Sequence, residues 1–512
     1  MIWTIAKKEF LLNLISARFT IGLLLCLAII PFTVVVSVDN YLNKLQVYKT
    51  EKERADKTYK EVRVWSRLRP TVVKEPEVLS IFSSGISDNL GNESKIYFSE
   101  YPLFPSGHVM TRDNPLLNAF FSIDFAKVIG ILISLIALVF SYDALTRERE
   151  EGTMKLSLTG KVSRISFLFG KITGLLITLI PILLLCYLLA CLMVLLNPQV
   201  ALSTSDWGGI VLLFLTSMIY LLVFILMGIV ISGLVTRSSS AIIWSLLCWI
   251  WFLFLLPNIS TYLSQSIVKT PLYENVQNVI NEYNKEEAND YQEVSNQIQK
   301  DLNLDYLSYY NYNGDRDGAI EMSGLTKEMA LYHQRLAIWQ FPFMLNSADK
   351  KWAVQRRYFD ELIDQQKWQQ RIAWLSPSEI FAQATNILCR TDMHSFLQYM
   401  ERVRHYRETF IRHYTDKKLF ESTAYFTAEP FETLFSIEDI ESMGEDRYWE
   451  IMDEKEFFFP YLNTEDVPRF VSPPVTLSTV LDGVMGRLAT LTGLMVILLL
   501  TAIAAFMRYD VR

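Results

Sequence analysis

Arg147-Glu148-Arg149-Glu150-Glu151-Gly152-Thr153 is an acid–base alternating run set between two strongly apolar stretches, residues 125–142 and 172–196. Each flank is close to the ~20 residues that cross a bilayer as a helix. A short charged helix slung between two spanning helices is a place where a soluble partner can push on both.

Working outward, the rest of the chain follows the same logic. Of its 512 residues 51% are hydrophobic, mean hydropathy is positive at +0.20, and the apolar residues are bunched rather than dispersed. Six stretches are nearly free of charge: 18–38, 125–142, 172–196, 210–234, 241–257 and 484–507. The expected fold class is an all-α integral membrane protein with six transmembrane helices. Cationic flanks stay cytoplasmic. Lys7, Lys8 and Arg18 precede the first span; Arg147, Arg149, Lys155, Lys161, Arg164 and Lys171 fill the loop 143–171; Arg237 lies between spans four and five; Arg508 and Arg512 follow the sixth. The loop 197–209 has neither Lys nor Arg. Both termini are therefore expected inside, with residues 39–124 and 258–480 outside. The first stretch is too long for a cleaved signal core and lacks a small-x-small site after Val34-Val35-Val36, so it reads as an uncleaved span.

Residues 1–17 place Ile2, Trp3, Ile5, Phe10, Leu11, Leu14 and Ile15 near helical spacing around Lys7, Lys8 and Glu9, which predicts an amphipathic elbow helix on the inner membrane face. It serves either as an anchor or as a contact for an ATPase. Gly170 and Gly174 make a Gly-x-x-x-Gly pair, and Gly130 and Ser134 one small face, both suited to close helix packing.

The outer segments read as one mainly helical domain with a small β element. Asn40 to Leu68 continues the first span as a solvated helix, and Thr71–Val73 with Lys95–Phe98 predicts a strand pair. Glu274 to Leu304 and Lys327 to Gln370 read as long helices joined by a turn at Asn311 to Asp317. Ser376-Pro377-Ser378-Glu379 is a helix start: Ser376 is a good N-cap, Pro377 suits the first helical position and Glu379 completes a capping box. After Asp392, the residues Phe396, Tyr399, Met400, Val403, Tyr406 and Phe410 make a buried stripe, with Arg402, Arg404, Arg407 and Arg412 on the other faces.

Little here suggests chemistry. Four of the five cysteines (Cys26, Cys186, Cys191, Cys248) lie in apolar spans, which supports neither disulfides nor a thiolate metal site. His394, His405 and His413 lack the spacing that gathers ligands on one helix face, so no metal or catalytic residue is expected. Asp392 and His394 are read as structural. Thr159-Gly160-Lys161-Val162 looks like the end of a phosphate-binding loop, but Lys155 and Val162 stand where Gly and Ser or Thr are needed. The energy of any transport must come from elsewhere.

The run Ala144 to Met154, followed by Lys161-Val162-Ser163-Arg164 and Phe169-Gly170-Lys171, resembles the loop after the second span of ABC-2 type transporter permeases. With Leu375-Ser376-Pro377, Thr391-Asp392-Met393-His394, Tyr406-Arg407 and the tail Arg508 to Arg512, it resembles in particular the DUF3526 subgroup, which carries a large outer insert between spans five and six. That subgroup often has small residues before its Thr-Asp, where this chain has Cys389-Arg390.

The resemblance implies a bacterial inner-membrane permease subunit of an ATP-binding-cassette exporter. It would work with a second permease, itself or a related chain, on a cytoplasmic ATPase dimer that binds ATP and Mg; the chain itself needs no cofactor and is no enzyme. The loop residues Glu148, Arg149, Glu150, Glu151, Gly152 and Thr153, with Lys7 and Lys8, would then form the ATPase-coupling site. Glu148, Glu150 and Glu151 would pair with cationic groups on the ATPase. The resemblance carries nothing about substrate; the favoured reading is export or extraction of an amphiphilic, lipid-linked or peptide-like one, with membrane lipid as a partner and no nucleic acid. The competing reading is mechanotransmission without transport to a periplasmic or cell-surface partner; a remote one is a membrane-bound metal-dependent hydrolase using Asp392 and His394.

Overall fold

The computed structural model describes residues 1–87, 91–102, 124–154, 163–304, 311–314, 320–454, 460–473 and 477–508. The Thr159 to Val162 stretch, His108 and the tail beyond Arg508 lie outside them.

Within a bilayer a chain has to satisfy its backbone internally, and the apolar stretches do so as helices. An elbow, α1 (Ile2–Leu14), leads into α2 (Ala17–Glu61). There follow α3 (Phe125–Ser141), a single-turn α4 (Thr146–Glu150), α5 (Arg164–Leu195), α6 (Thr204–Leu234) and α7 (Ser238–Ile267). The large second insert holds α8 (Tyr273–Asp301), α9 (Lys327–Ala373), α10 (Pro377–Leu388), α11 (Met393–Asp416), α12 (Ile437–Met443) and α13 (Glu445–Glu454) before α14 (Leu477–Met507) closes the chain. Among the described residues six helices are long and apolar enough to cross a membrane: α2, the α3–α4 stretch, α5, α6, α7 and α14. The protein is an all-α membrane-spanning chain. An even number of crossings returns the end of α14 to the face where α1 lies, and there Arg164 Nη1 donates to the Met507 carbonyl at 2.8 Å. This is called the terminal face below, and its opposite the far face.

Helix α2 runs 45 residues, about 68 Å, roughly twice a bilayer core. Its distal part joins the far-face domain, where the Tyr59 and Tyr406 hydroxyls bond at 2.8 Å. Strand β1 (Thr71–Val73) pairs antiparallel with β2 (Glu93–Lys95), slightly earlier than the Lys95–Phe98 expected. A second hairpin, β3 (Asn311–Gly314) with β4 (Ile320–Ser323), occupies the predicted turn region. The two inserts share one core: Tyr59, Val62, Val72 and Phe98 from the first pack with Phe341, Tyr399, Val403 and Phe410 from the second. The predicted stripe on α11 is buried, but Arg407 is not on a polar face. It is buried, donating Nε to the Tyr97 carbonyl at 2.8 Å and Nη2 to that of Phe98 at 2.6 Å. Carbonyls just past β2 need donors, and this guanidinium supplies them.

Helix α10 belongs to the far-face insert by sequence yet packs among α3, α6 and α14. Phe381 stacks on Tyr220, centroids 4.4 Å apart, and Gly130 gives it room: a Cβ at Gly130 would sit 3.4 Å from the Phe381 ring. The turn ahead of α10 meets the middle of α7, where residues Trp251–Leu255 widen into a π-turn. The Leu256 N–H bonds to Trp251 O, leaving the Phe252 carbonyl to look one residue further on. That residue is Pro257, which has no N–H. The hydroxyls of Ser376 and Ser378 fill the gap, donating to Phe252 O at 2.6 and 2.7 Å.

Candidate functional site

The terminal face carries the charged residues on which the sequence reading centred. Helix α4 starts where the N–H groups of Leu145 and Thr146 donate to Ser232 Oγ at 3.0 and 3.1 Å. It ends at Gly152, whose φ of +72° is the left-handed conformation a glycine adopts without strain.

Between those ends three of the five charges, Glu148, Arg149 and Glu150, are tied to another helix. Glu148 turns inward: Lys171 Nζ on α5 sits 2.6 Å from Glu148 Oε1 and 2.6 Å from Glu9 Oε1 on α1. The Lys171 side chain is only 4% exposed, so this is a buried bridge holding three helices. Lys8 Nζ adds a longer approach to Glu148 at 4.0 Å. Arg149 donates from Nη1 and Nη2 to the Val235 and Gly233 carbonyls, both at 3.0 Å, neutralising the negative end of α6. Glu150 accepts from the Ser238 N–H at 2.8 Å and its hydroxyl at 2.7 Å, which stabilises an anion against the positive start of α7. Just before α4, Asp143 accepts from Arg18 of α2 at 2.9 Å. One turn of helix is thus pinned to the ends of α2, α5, α6 and α7 and to the elbow.

The Gly-x-x-x-Gly pair serves the same assembly. A Cβ at Gly170 would lie 2.7 Å from Ile5 Cβ, and one at Gly174 2.6 Å from Glu9 Cβ. Their bare backbone therefore admits α1, not a neighbouring span. Gly130 and Ser134 face other helices: Gly130 lies under Phe381, while Ser134 Oγ donates to the Gly130 carbonyl at 2.6 Å and accepts from Trp249 Nε1 at 2.9 Å.

With Glu148 inside, the expected row of acids loses one member at the surface, while Glu150 stays exposed as it caps α7. Arg147 and Glu151, paired with each other at 2.9 Å, face solvent with Lys7 and Lys8. Thr153 Oγ1 donates back to the Glu148 carbonyl at 3.4 Å.

At the far face Ser376 and Asp392 sit at the starts of α10 and α11. Ser376 accepts from the Glu379 N–H at 3.4 Å, while the reciprocal half of the capping box is absent among the bonds of that turn. Asp392 caps α11, accepting from the N–H groups of His394 and Ser395 and from the Ser395 hydroxyl at 2.6 Å. His394 is exposed, its ring against Gln398. Cys389-Arg390 replaces small residues at a turn where Arg390 has φ +59°, and its guanidinium compensates by bonding Glu77 at 3.2 Å and Ser205 at 3.2 Å. Among the described residues no group of three or more His, Cys, Asp or Glu is placed to hold a metal ion.

The family described as ABC-2 family transporter protein matches residues 3–511, nearly the whole chain. The chain belongs to the ABC-2 transporter family. No curated protein sequence matches it. An ABC-2 chain is the membrane component that works with a separate ABC ATPase, which fits a terminal face built around one tethered helical turn. Within this ABC-2 chain, Lys171 is the residue sequence reasoning passed over as a positive flank. One signal was available: Ile2, Ala6 and Glu9 share a helix face, and a carboxylate on the packed face of an elbow calls for a buried cation.

Proposed function

We propose that this chain is the permease subunit of an ATP-driven exporter or extractor of an amphiphilic, lipid-linked or peptide-like substrate in a bacterial inner membrane. Both termini face the cytoplasm in this reading, and two permeases, identical or related, sit on an ATPase dimer. The DUF3526 subgroup is the assignment the quoted motifs favour. The observation that supports the reading is the tethering of α4: a displacement applied there reaches α1, α2, α5, α6 and α7 together through Lys171, Arg18, Arg149 and Glu150. A coupled rigid unit of this kind is what turns a push into a rearrangement of spans.

The ATPase would meet the exposed Lys7, Lys8, Arg147 and Glu151. Purification from native membranes in mild detergent is expected to bring down an ATPase. The double reversal Arg147→Glu with Glu151→Lys leaves the internal ties intact and is expected to weaken that association and its ATP hydrolysis at least tenfold. Absence of any ATPase, or unchanged hydrolysis in the double variant, would overturn the proposal.

Mechanotransmission to a periplasmic partner is supported by one feature, the unbroken α2 that links the elbow to the far-face core at Tyr59. Substrate efflux from proteoliposomes separates the two readings: ATP-dependent movement of a labelled lipid favours export, and hydrolysis without movement favours force transmission.

A further inference from the structure

A cavity of about 580 Å³ opens on the far face between the distal part of α2, β1, α11 and the segment that leads into α14. It begins at Asp206, near the start of α6, and follows α2 from Tyr48 to Tyr59, a rise of roughly 17 Å. One stripe of α11 forms a wall, with Ser395, Gln398, Tyr399, Arg402 and Tyr406 recurring at helical spacing. Lys74, just past β1, reaches that stripe and places its ammonium over the Tyr399 ring, 5.3 Å from its centre. Tyr399 and Arg402 are one helical turn apart, so two cations meet at the same wall. Arg469 adds a third, its guanidinium carbon 3.3 Å from the centre of the Tyr59 ring.

None of these three cations forms an ion pair among the described residues. The Lys74 ammonium makes no hydrogen bond there either, and Arg402 spends only Nε, on the Gln398 carbonyl at 3.3 Å. Both side chains are half-buried and line the cavity, so their remaining N–H groups are open to whatever fills it. The acids of the wall are engaged elsewhere or hydrated. Glu77 is bound by Arg390 at 3.2 Å, and Asp206 by Arg390 at 3.5 Å and by the Ser203 N–H and hydroxyl at 2.9 and 2.7 Å. Asp392, also near Lys74, caps α11. Asp56 and Glu75 are exposed, where water and salt screen them. Burial pushes the Lys74 ammonium below the ordinary lysine range; Glu77 draws it back only in part and Arg402 pushes it further. Like charges held together in partial burial are costly until an anion joins them.

We propose that this cavity binds an anionic ligand, its carboxylate or phosphate seated between Lys74 and Arg402 and its remainder lying along the rings of Tyr48 and Phe470. Two cations from different elements grip an oxyanion from two sides, and the arginine fork suits either chemistry. The aromatic walls offer apolar surface to the rest of the molecule. Because the cavity starts where α6 meets the far face, the anion is the headgroup of a membrane amphiphile or a soluble ion entering from that side. The binding itself requires no ATPase, while a role in receiving exported headgroups rests on the permease reading above.

The test uses the purified full-length chain in detergent, titrated with octanoate, with octyl phosphate and with neutral octanol, bound molecules being counted by native mass spectrometry. Saturable one-to-one binding of at least one of the two anions is expected, weakened about tenfold or more in Lys74→Gln and in Arg402→Gln, with no saturation by octanol. The anion that binds more tightly names the oxyanion. Acetate or inorganic phosphate displacing its own octyl form at equal concentration assigns a soluble ion; failure to displace assigns the amphiphile headgroup. The variants lie on different elements, so one that fails to fold leaves the other to decide. Wild-type affinity in a folded variant, no saturable binding of either anion, or equal binding of octanol overturns the site. Saturable binding with no copurifying ATPase sinks only the permease reading, and a copurifying ATPase with no anion binding sinks only the site.

Discussion

Lys171 offers one ammonium to two carboxylates, so Lys171→Met would leave Glu9 and Glu148 buried and facing each other. Breaking a buried ion pair from one side costs about 3 to 5 kcal/mol, whereas removing all the charges together is close to neutral. Thermal unfolding in detergent is therefore expected to show a large loss for Lys171→Met and recovery in the Glu9→Gln, Glu148→Gln, Lys171→Met triple variant; equal losses would reject the bridge as the source. The glycines separate in a similar way. Gly174→Ala is expected to free the elbow to proteolysis, because the new Cβ meets Glu9 Cβ at 2.6 Å, while Gly130→Ala is expected to be tolerated at 3.4 Å from Phe381. At the far face Asp392→Ala removes a cap that accepts two N–H groups and should lower stability by roughly 0.5 to 2 kcal/mol. His394→Ala, with its ring exposed, should leave both the melting temperature and the activity per assembled complex unchanged; abolished activity at full assembly would return His394 to functional standing.

Helix α10 depends on a repair made at a distance. The π-turn in α7 and Pro257 together deprive the Phe252 carbonyl of a backbone donor, and Ser376 and Ser378 supply it. The Ser376→Ala, Ser378→Ala double variant leaves that carbonyl unsatisfied and is expected to cost about 1 to 3 kcal/mol, with each single variant costing less than half, as read by thermal unfolding. Additive single losses would argue that the hydroxyls act separately. This repair marks where sequence reading stopped. The six spans were legible because 20-residue apolar runs have few alternative fates, and the stripe on α11 because Phe396, Tyr399, Val403 and Tyr406 keep helical spacing. The start of α10 at Ser376 was legible too, but its place among the spans was not, because its 12 residues cannot cross a bilayer and Ile380, Phe381, Ala384 and Leu388 make the stripe of any half-buried helix. Charge alternation around Glu148 marked the turn that proves to be tethered but not its pairing: the partner, Lys171, lies 23 positions on, and local spacing carries no information about it.

Across the whole molecule the two faces are made of different material, ion-tied helix ends at one and a helical domain with two small strand pairs at the other. Labelling of single cysteines in intact cells is expected to reach Asp290→Cys from outside and to miss Glu151→Cys; the reverse pattern would invert the orientation and remove the ATPase from the terminal face. The placement of α10 also bears on how the chain is made. Its seat is built from α3 and α6, which are synthesised before it, and from α14, which is synthesised after it. Until residue 477 and beyond are in the membrane, the groove at Gly130 and Tyr220 has only part of its cover and α10 has no third wall. Completion of this seat must therefore wait for α14, and a nascent or truncated chain lacking α14 presents quality-control proteases with an unfinished seam in the midst of otherwise inserted helices.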